Sequence, residues 1–122
     1  MTSELPPLPE EFTSLLAAVI PADRLGAVLA SFAAVKPVTF RANPLKTSAS
    51  QLRAELEQAA FDPRPIPWYV EAFAAPAEIK RALTETAAFY EGRLYIQNLA
   101  SMLAPLALDP QPGETVLDLA AA

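Results

Sequence analysis

The stretch VTFRANPLKTSASQLRAELEQAA, residues 38–60, changes its apolar period halfway along, and that change decides the fold class. Val38, Phe40 and Ala42 alternate with Thr39 and Arg41, which is the period of a strand with one buried face. Asn43-Pro44 breaks the strand, because proline lacks a backbone donor and disfavours helix in the residue before it. Ser48 and Gln51 then form a capping-box pattern ahead of Leu52, Leu56, Ala59 and Ala60 on one helical face. A strand leading through a proline turn into a helix of about three turns reads as α+β.

Upstream, Phe12, Leu15, Leu16, Val19 and Ile20 repeat at helical spacing until Pro21. Leu25, Val28, Leu29, Phe32 and Ala33 repeat it again, with Asp23 as the expected cap. The two make a helical hairpin over residues 10–34, whose apolar stripes are expected to be buried against a neighbouring layer. Downstream, the prolines of Asp62–Pro67 exclude helix and central strand and predict an extended connector. Trp68, Tyr69, Val70 and Phe73 predict a second, irregular strand, and a short helix carrying Ile79 and Leu83 opens at Pro76. In FYEGRLYIQ, residues 89–97, aromatic and aliphatic arms flank Glu91-Gly92 and predict a β-hairpin. Asn98 caps a helix with the apolar face Leu99, Met102, Leu103 and Leu106, which Pro105 is expected to kink or end. After a turn at Pro112-Gly113, Thr115–Leu119 predicts a terminal strand running into small residues.

Composition narrows the chemistry. The 122 residues contain no cysteine and no histidine, which removes disulfides, Cys/His metal sites, thiol nucleophiles and imidazole bases. No metal site and no catalytic residue is expected. Mean hydropathy is +0.23, no apolar run is long enough for a membrane span, and the acidic, proline-rich start is unlike a secretory signal, so a soluble, cytoplasmic chain is expected. A net charge of -5 argues against a free-standing nucleic-acid binder. Locally the balance reverses: Lys36, Arg41, Lys46, Arg53 and Arg64 face only Glu55, Glu57 and Asp62 in the same window.

Among candidate groups, Glu55 and Glu57 point apart on a helix and read as solvated, not as a catalytic pair. Asp118 sits in an apolar strand and needs partners, either as a loop-holding group or as a ligand contact. Arg41 and Lys46 flank Asn43-Pro44, and Arg93 and Tyr95 lie on the expected hairpin. Together they are the RNA-contact candidates, cations for phosphate and a ring for a base, although packing alone also explains Tyr95.

Four segments carry a resemblance: FRANPLKTS (40–48), RPIPWYVEAF (64–73), FYEGRLYIQNLASMLAPLALDPQPGE (89–114) and VLDLAAA (116–122). In this order and spacing they resemble the Sun, or Fmu, family of S-adenosylmethionine-dependent RNA cytosine-5 methyltransferases. The resemblance implies that residues 1–95, a helical hairpin and a plait-like α/β part over 37–95, form the small domain that presents RNA. Residues 96–122 would begin the Rossmann-like methyltransferase domain. In the family VLDLAAA leads into a Pro-Gly-Gly-Lys loop around the cofactor, so Ala120, Ala121 and Ala122 match the opening of that loop. The family's covalent attack on cytosine C6 needs a cysteine, so these residues alone are expected to be inactive and to hold S-adenosylmethionine poorly. The implied partner is RNA, ribosomal or transfer. Two other readings stay open: a self-standing RNA- or protein-binding module, and a structural fragment whose sheet, begun at Val116, another chain completes.

Overall fold

A computed structural model describes residues 7–119. Its contacts divide the chain into two units, Met1–Lys36 and Pro37–Ala122. In the first, α1 (Glu10–Val19) and α2 (Ala22–Ala33) are each entered through a proline, Pro9 and Pro21. Pro21 takes the cap position with an extended backbone, so Asp23 is not the cap expected of it; it lies inside the first turn, where its negative charge favourably complements the positive end of the helix dipole. Phe12 and Phe32 meet edge to face, ring centres 5.4 Å apart. Neither helix has a fully buried residue, so the expected burial of both apolar stripes is only partial.

The second unit is α+β. Four strands, β1 (Val38–Ala42), β2 (Arg64–Ile66), β3 (Tyr69–Ala75) and β4 (Leu94–Ile96), form one antiparallel sheet in the order β2-β3-β1-β4. Central β1 pairs Phe40 with Phe73 on one side and with Ile96 on the other. Alternation sends Val38, Phe40, Ala42, Phe73, Ala75 and Leu94 to one face, where Leu52 and Leu56 of α3 (Ala49–Gln58), Leu83 of α4 (Lys80–Thr84) and Ala88 of α5 (Ala87–Tyr90) join them in one buried cluster. The Phe40 and Phe73 rings stack at 5.6 Å. The capping box forms as the sequence requires: Ser48 Oγ accepts from the Gln51 amide at 3.2 Å, and Gln51 Oε1 accepts from the Ser48 amide at 3.1 Å. The helix stops sooner than its alanines suggest, since Ala60 turns to a positive φ of 62°.

Three expectations need correction. The connector at Asp62–Pro67 is in part a strand: β2 joins β3 through Pro67 and Trp68, making the hairpin of this sheet. Pro65 is compatible because β2 is an edge strand, where one ladder side is unused. The expected hairpin at 89–97 is instead a helix end leading into β4. Thr86 Oγ1 caps α5 by accepting from the Phe89 amide, Gly92 stands at φ 67°, and the amides of Gly92 and Arg93 donate to the carbonyls of Phe89 and Ala88. That is a Schellman closure, which needs the same positive-φ glycine as a tight hairpin turn. Finally, Thr115–Leu119 forms no strand among the described residues, and Val116, Leu117 and Leu119 are exposed, because no neighbouring strand offers a ladder.

The last helix, α6 (Leu99–Leu108), starts on Asn98, whose Oδ1 accepts from the Ala100 amide at 2.9 Å. Pro105 does not end it; the helix runs on to Leu108, and the Asp109 amide donates to the Pro105 carbonyl. Of its expected apolar face only Met102 is buried, while Leu103 and Leu106 stay exposed.

Candidate nucleic-acid interface

The face of the sheet turned away from the buried cluster carries Thr39 and Arg41 from β1, their β3 neighbours Ala74 and Ala72, and Tyr95 from β4. Ala72 is fully buried and Ala74 partly so, which leaves the open part of this face to β1 and β4, where Arg41 lies in direct register with Tyr95. The Arg41 guanidinium carbon sits 5.7 Å from the centre of the Tyr95 ring, a cation–π contact. Tyr95 keeps 56% of its surface exposed, more than a packing role would leave. Arg41 Nε donates to Gln97 Oε1 at 3.0 Å, and the main chain of Gln97 is itself fixed by Thr39, whose carbonyl accepts from the Gln97 amide and whose hydroxyl donates to the Gln97 carbonyl.

Within the unit Pro37–Ala122, charge sets Arg41 apart from the other arginines. Arg53, Arg64, Arg81 and Arg93 each have a carboxylate within ion-pair distance. Arg41 is half-buried, and no carboxylate pairs with it among the described residues. A partly desolvated guanidinium stacked on an exposed ring and held by a neutral amide is arranged to receive an anion together with a flat group.

The other two candidates serve a different end. Arg93 grips Glu55 of α3 through both terminal nitrogens and Glu91 through Nε. The hydrogen bond from Arg93 holds the Glu55 carboxyl below its ordinary value, and the carboxylates of Glu55 and Glu91 raise the guanidinium well above its own. Glu55 is therefore not the free solvated acid its helical position suggests. Lys46 Nζ donates to the Glu91 carbonyl at 2.6 Å. Asn43 ties the same corner from β1: its amide donates to the Arg93 carbonyl, its side-chain Nδ2 to the Gly92 carbonyl, and its Oδ1 accepts from Leu45. The cluster braces the loop after β1 against the turn before β4. Arg41 and Tyr95 thus come together, whereas Lys46 and Arg93 belong to the brace. The sequence reading missed Gln97 and Asn43; the only available signal for Asn43 was its turn chemistry before Pro44.

The segment leading to the expected cofactor loop lies against α6. Val116–Leu119 and the α6 residues Ser101, Ala104, Pro105 and Leu108 border a groove of about 570 Å3 that also touches Gln97. Its walls are mostly apolar side chains, and among the described residues Asp118 is the one carboxylate on them. Ala120, Ala121 and Ala122 lie outside the described residues. Among the described residues no cluster of metal-binding side chains occurs, and no helix is long and apolar enough to cross a membrane.

Comparison with known proteins meets this geometry at the family level. Residues 8–99 match the N-terminal domain of 16S rRNA methyltransferase RsmF. The chain belongs to this family. It corresponds to the N-terminal part of Sun/Fmu/Nop methyltransferases, as the four sequence segments imply. It is 37% identical over 90 residues to the ribosomal RNA small subunit methyltransferase F of Shewanella amazonensis, covering 70% of this chain and 19% of that protein. It is 31% identical over 90 residues to the tRNA (cytosine(49)-C(5))-methyltransferase of Pyrococcus abyssi, covering 69% of this chain and 27% of that protein. The crystal structure of a methyltransferase homolog from Pyrococcus horikoshii superposes with a TM-score of 0.69 at 30% identity, over 88% of this chain and 39% of the other. The chain thus spans about a fifth to a quarter of the length of these curated relatives.

Proposed function

We propose that this chain is the RNA-presenting part of an S-adenosylmethionine-dependent RNA cytosine-5 methyltransferase that works in the cytoplasm on ribosomal RNA. Residues 1–95 bind substrate, and residues 96–122 begin the domain that carries the reaction. The observation behind the RNA role is Arg41: a half-buried guanidinium without a carboxylate partner among the described residues, stacked on exposed Tyr95, in a family whose relatives are named for RNA.

Methyl transfer itself lies beyond these 122 residues. Covalent activation of cytosine takes a thiolate, and the chain has no cysteine. When bound, S-adenosylmethionine supplies the methyl group; Ala120–Ala122 are proposed to open its loop, and these residues alone bind it weakly or not at all. The chain's own task is to hold RNA phosphate and a base on the sheet while the brace at Asn43, Lys46 and Arg93 keeps β1 and β4 in register.

The test is a polarisation titration of the 122-residue chain with a ribosomal RNA hairpin across a salt series. Binding is expected to weaken steeply as salt rises, and Arg41→Ala is expected to flatten that dependence by one phosphate contact. Salt-independent binding, or an Arg41→Ala variant that binds as the parent does, would sink the proposal. A transfer RNA in parallel separates the two RNA classes named by the relatives.

A further inference from the structure

Gln97 lies at the rim of this face, just past the end of edge strand β4, and was not among the candidates. Its main chain continues the β1–β4 pairing, with its amide donating to the Thr39 carbonyl at 3.1 Å and its carbonyl accepting from Thr39 Oγ1 at 2.6 Å. Its side chain then uses that fixed position to accept from Arg41 Nε at 3.0 Å. With Nε occupied and the guanidinium lying by the Tyr95 ring, the terminal nitrogens of Arg41 have no hydrogen-bond or ion-pair partner among the described residues. A neutral amide is the suitable holder, since a carboxylate there would orient the guanidinium equally well while cancelling the charge an incoming phosphate needs.

The same geometry selects among RNA forms. A-form duplex offers phosphates and 2′-hydroxyls but keeps its bases stacked, so an exposed tyrosine beside an arginine gains nothing from it beyond one charge. A single strand or loop can lay an unstacked base on the ring while its phosphate reaches the guanidinium. Resting on the RNA reading above, we propose that Gln97 is a positioning residue that holds Arg41 beside Tyr95 so that this face takes single-stranded or looped RNA in preference to duplex.

The experiment compares a labelled unstructured RNA with a blunt duplex of equal length, using the whole 122-residue chain. The single strand is expected to bind about tenfold tighter, and Tyr95→Leu to remove most of that preference without changing the salt dependence. Gln97→Met is expected to weaken the single strand about three- to tenfold, the scale of a lost charge-orienting hydrogen bond, and to leave the duplex unchanged. Gln97→Glu is the deciding variant. It keeps the hydrogen bond and the fold, yet it should lose single-strand affinity and reduce the slope of log K against log salt by about 0.7. If Gln97→Glu binds as the parent does, Gln97 is merely structural and the inference falls. Equal affinity for the two RNAs also overturns it. Should the Gln97 variants fail to fold, Tyr95→Leu, at an exposed position, still decides the strand preference. Failure of the underlying RNA reading looks different: neither RNA binds, or Arg41→Ala leaves both affinities untouched.

Discussion

The two faces of the four-stranded sheet obey opposite rules. Toward the helices, Phe40, Phe73, Ala75 and Leu94 are buried with Leu52, Leu56 and Leu83, and among the described residues no polar side chain is buried with them. On the far face Thr39, Arg41 and Tyr95 come from the same strands, one residue out of phase, and leave a cation beside an open ring. Strand alternation lets one short segment serve stability and recognition at once, with little overlap between them. Mutations should therefore separate: changes on the inner face cost stability, and changes on the outer face cost binding.

The sharpest way to break that contrast is Phe40→Ala. It removes a ring stacked on Phe73 in a site with no exposure and is expected to destabilise by about 3–5 kcal/mol, seen as a lower denaturant midpoint. A loss below about 1 kcal/mol would mean that the inner face is not the core. Next comes Gly92→Ala in the corner brace. Its φ of 67° disfavours a side chain, and an added Cβ would approach Lys46 Nζ to 3.0 Å. A cost of about 1–2 kcal/mol is expected, relieved in part when Lys46 is shortened.

Smaller still is the pH-dependent part of the brace. The folded Glu55 carboxyl titrates below its ordinary value because Arg93 hydrogen-bonds its charged form. Its contribution is therefore complete above the unfolded value, about pH 4.3, and is lost as pH falls through the lower folded value. Glu55→Gln should reduce stability at neutral pH, and the difference from the parent should vanish under strong acid in thermal melts. The smallest stability effect belongs to Arg41→Ala, expected within about 0.5 kcal/mol, because no ion pair is lost. If this outer-face change destabilised the chain as much as Gly92→Ala, the separation of the faces would be wrong.

How far the sequence could be read depended on the distance between the residues that make each element. The β1 strand and the start of α3 were legible, because alternation, Asn43-Pro44 and the Ser48–Gln51 box all act within a few residues, whereas the early end of α3 before Ala59 and Ala60 was not. Glu91-Gly92 misled, because a positive φ is shared by hairpin turns and helix ends, and only Thr86 upstream marked the helix. At Arg64–Ile66 the prolines argued against a strand, yet an edge position tolerates them. The apolar stripes of α1 and α2 marked helices, yet Leu15 and Val19 of the expected α1 face stay largely exposed and neither helix has a fully buried residue.

Among the four interface candidates, residue type was visible and employment was not. Arg41, Lys46 and Arg93 are equivalent as cations in a one-dimensional string; only the fold brings Glu55, 38 positions away, onto Arg93, and sets Tyr95 and Gln97 beside Arg41. Local order was thus settled by the sequence itself, since capping, alternation and turn chemistry are short-range. Which charge is spent and which is left for a ligand was decided by the tertiary structure, because ion pairing depends on distance in space and the four-stranded sheet chooses those distances.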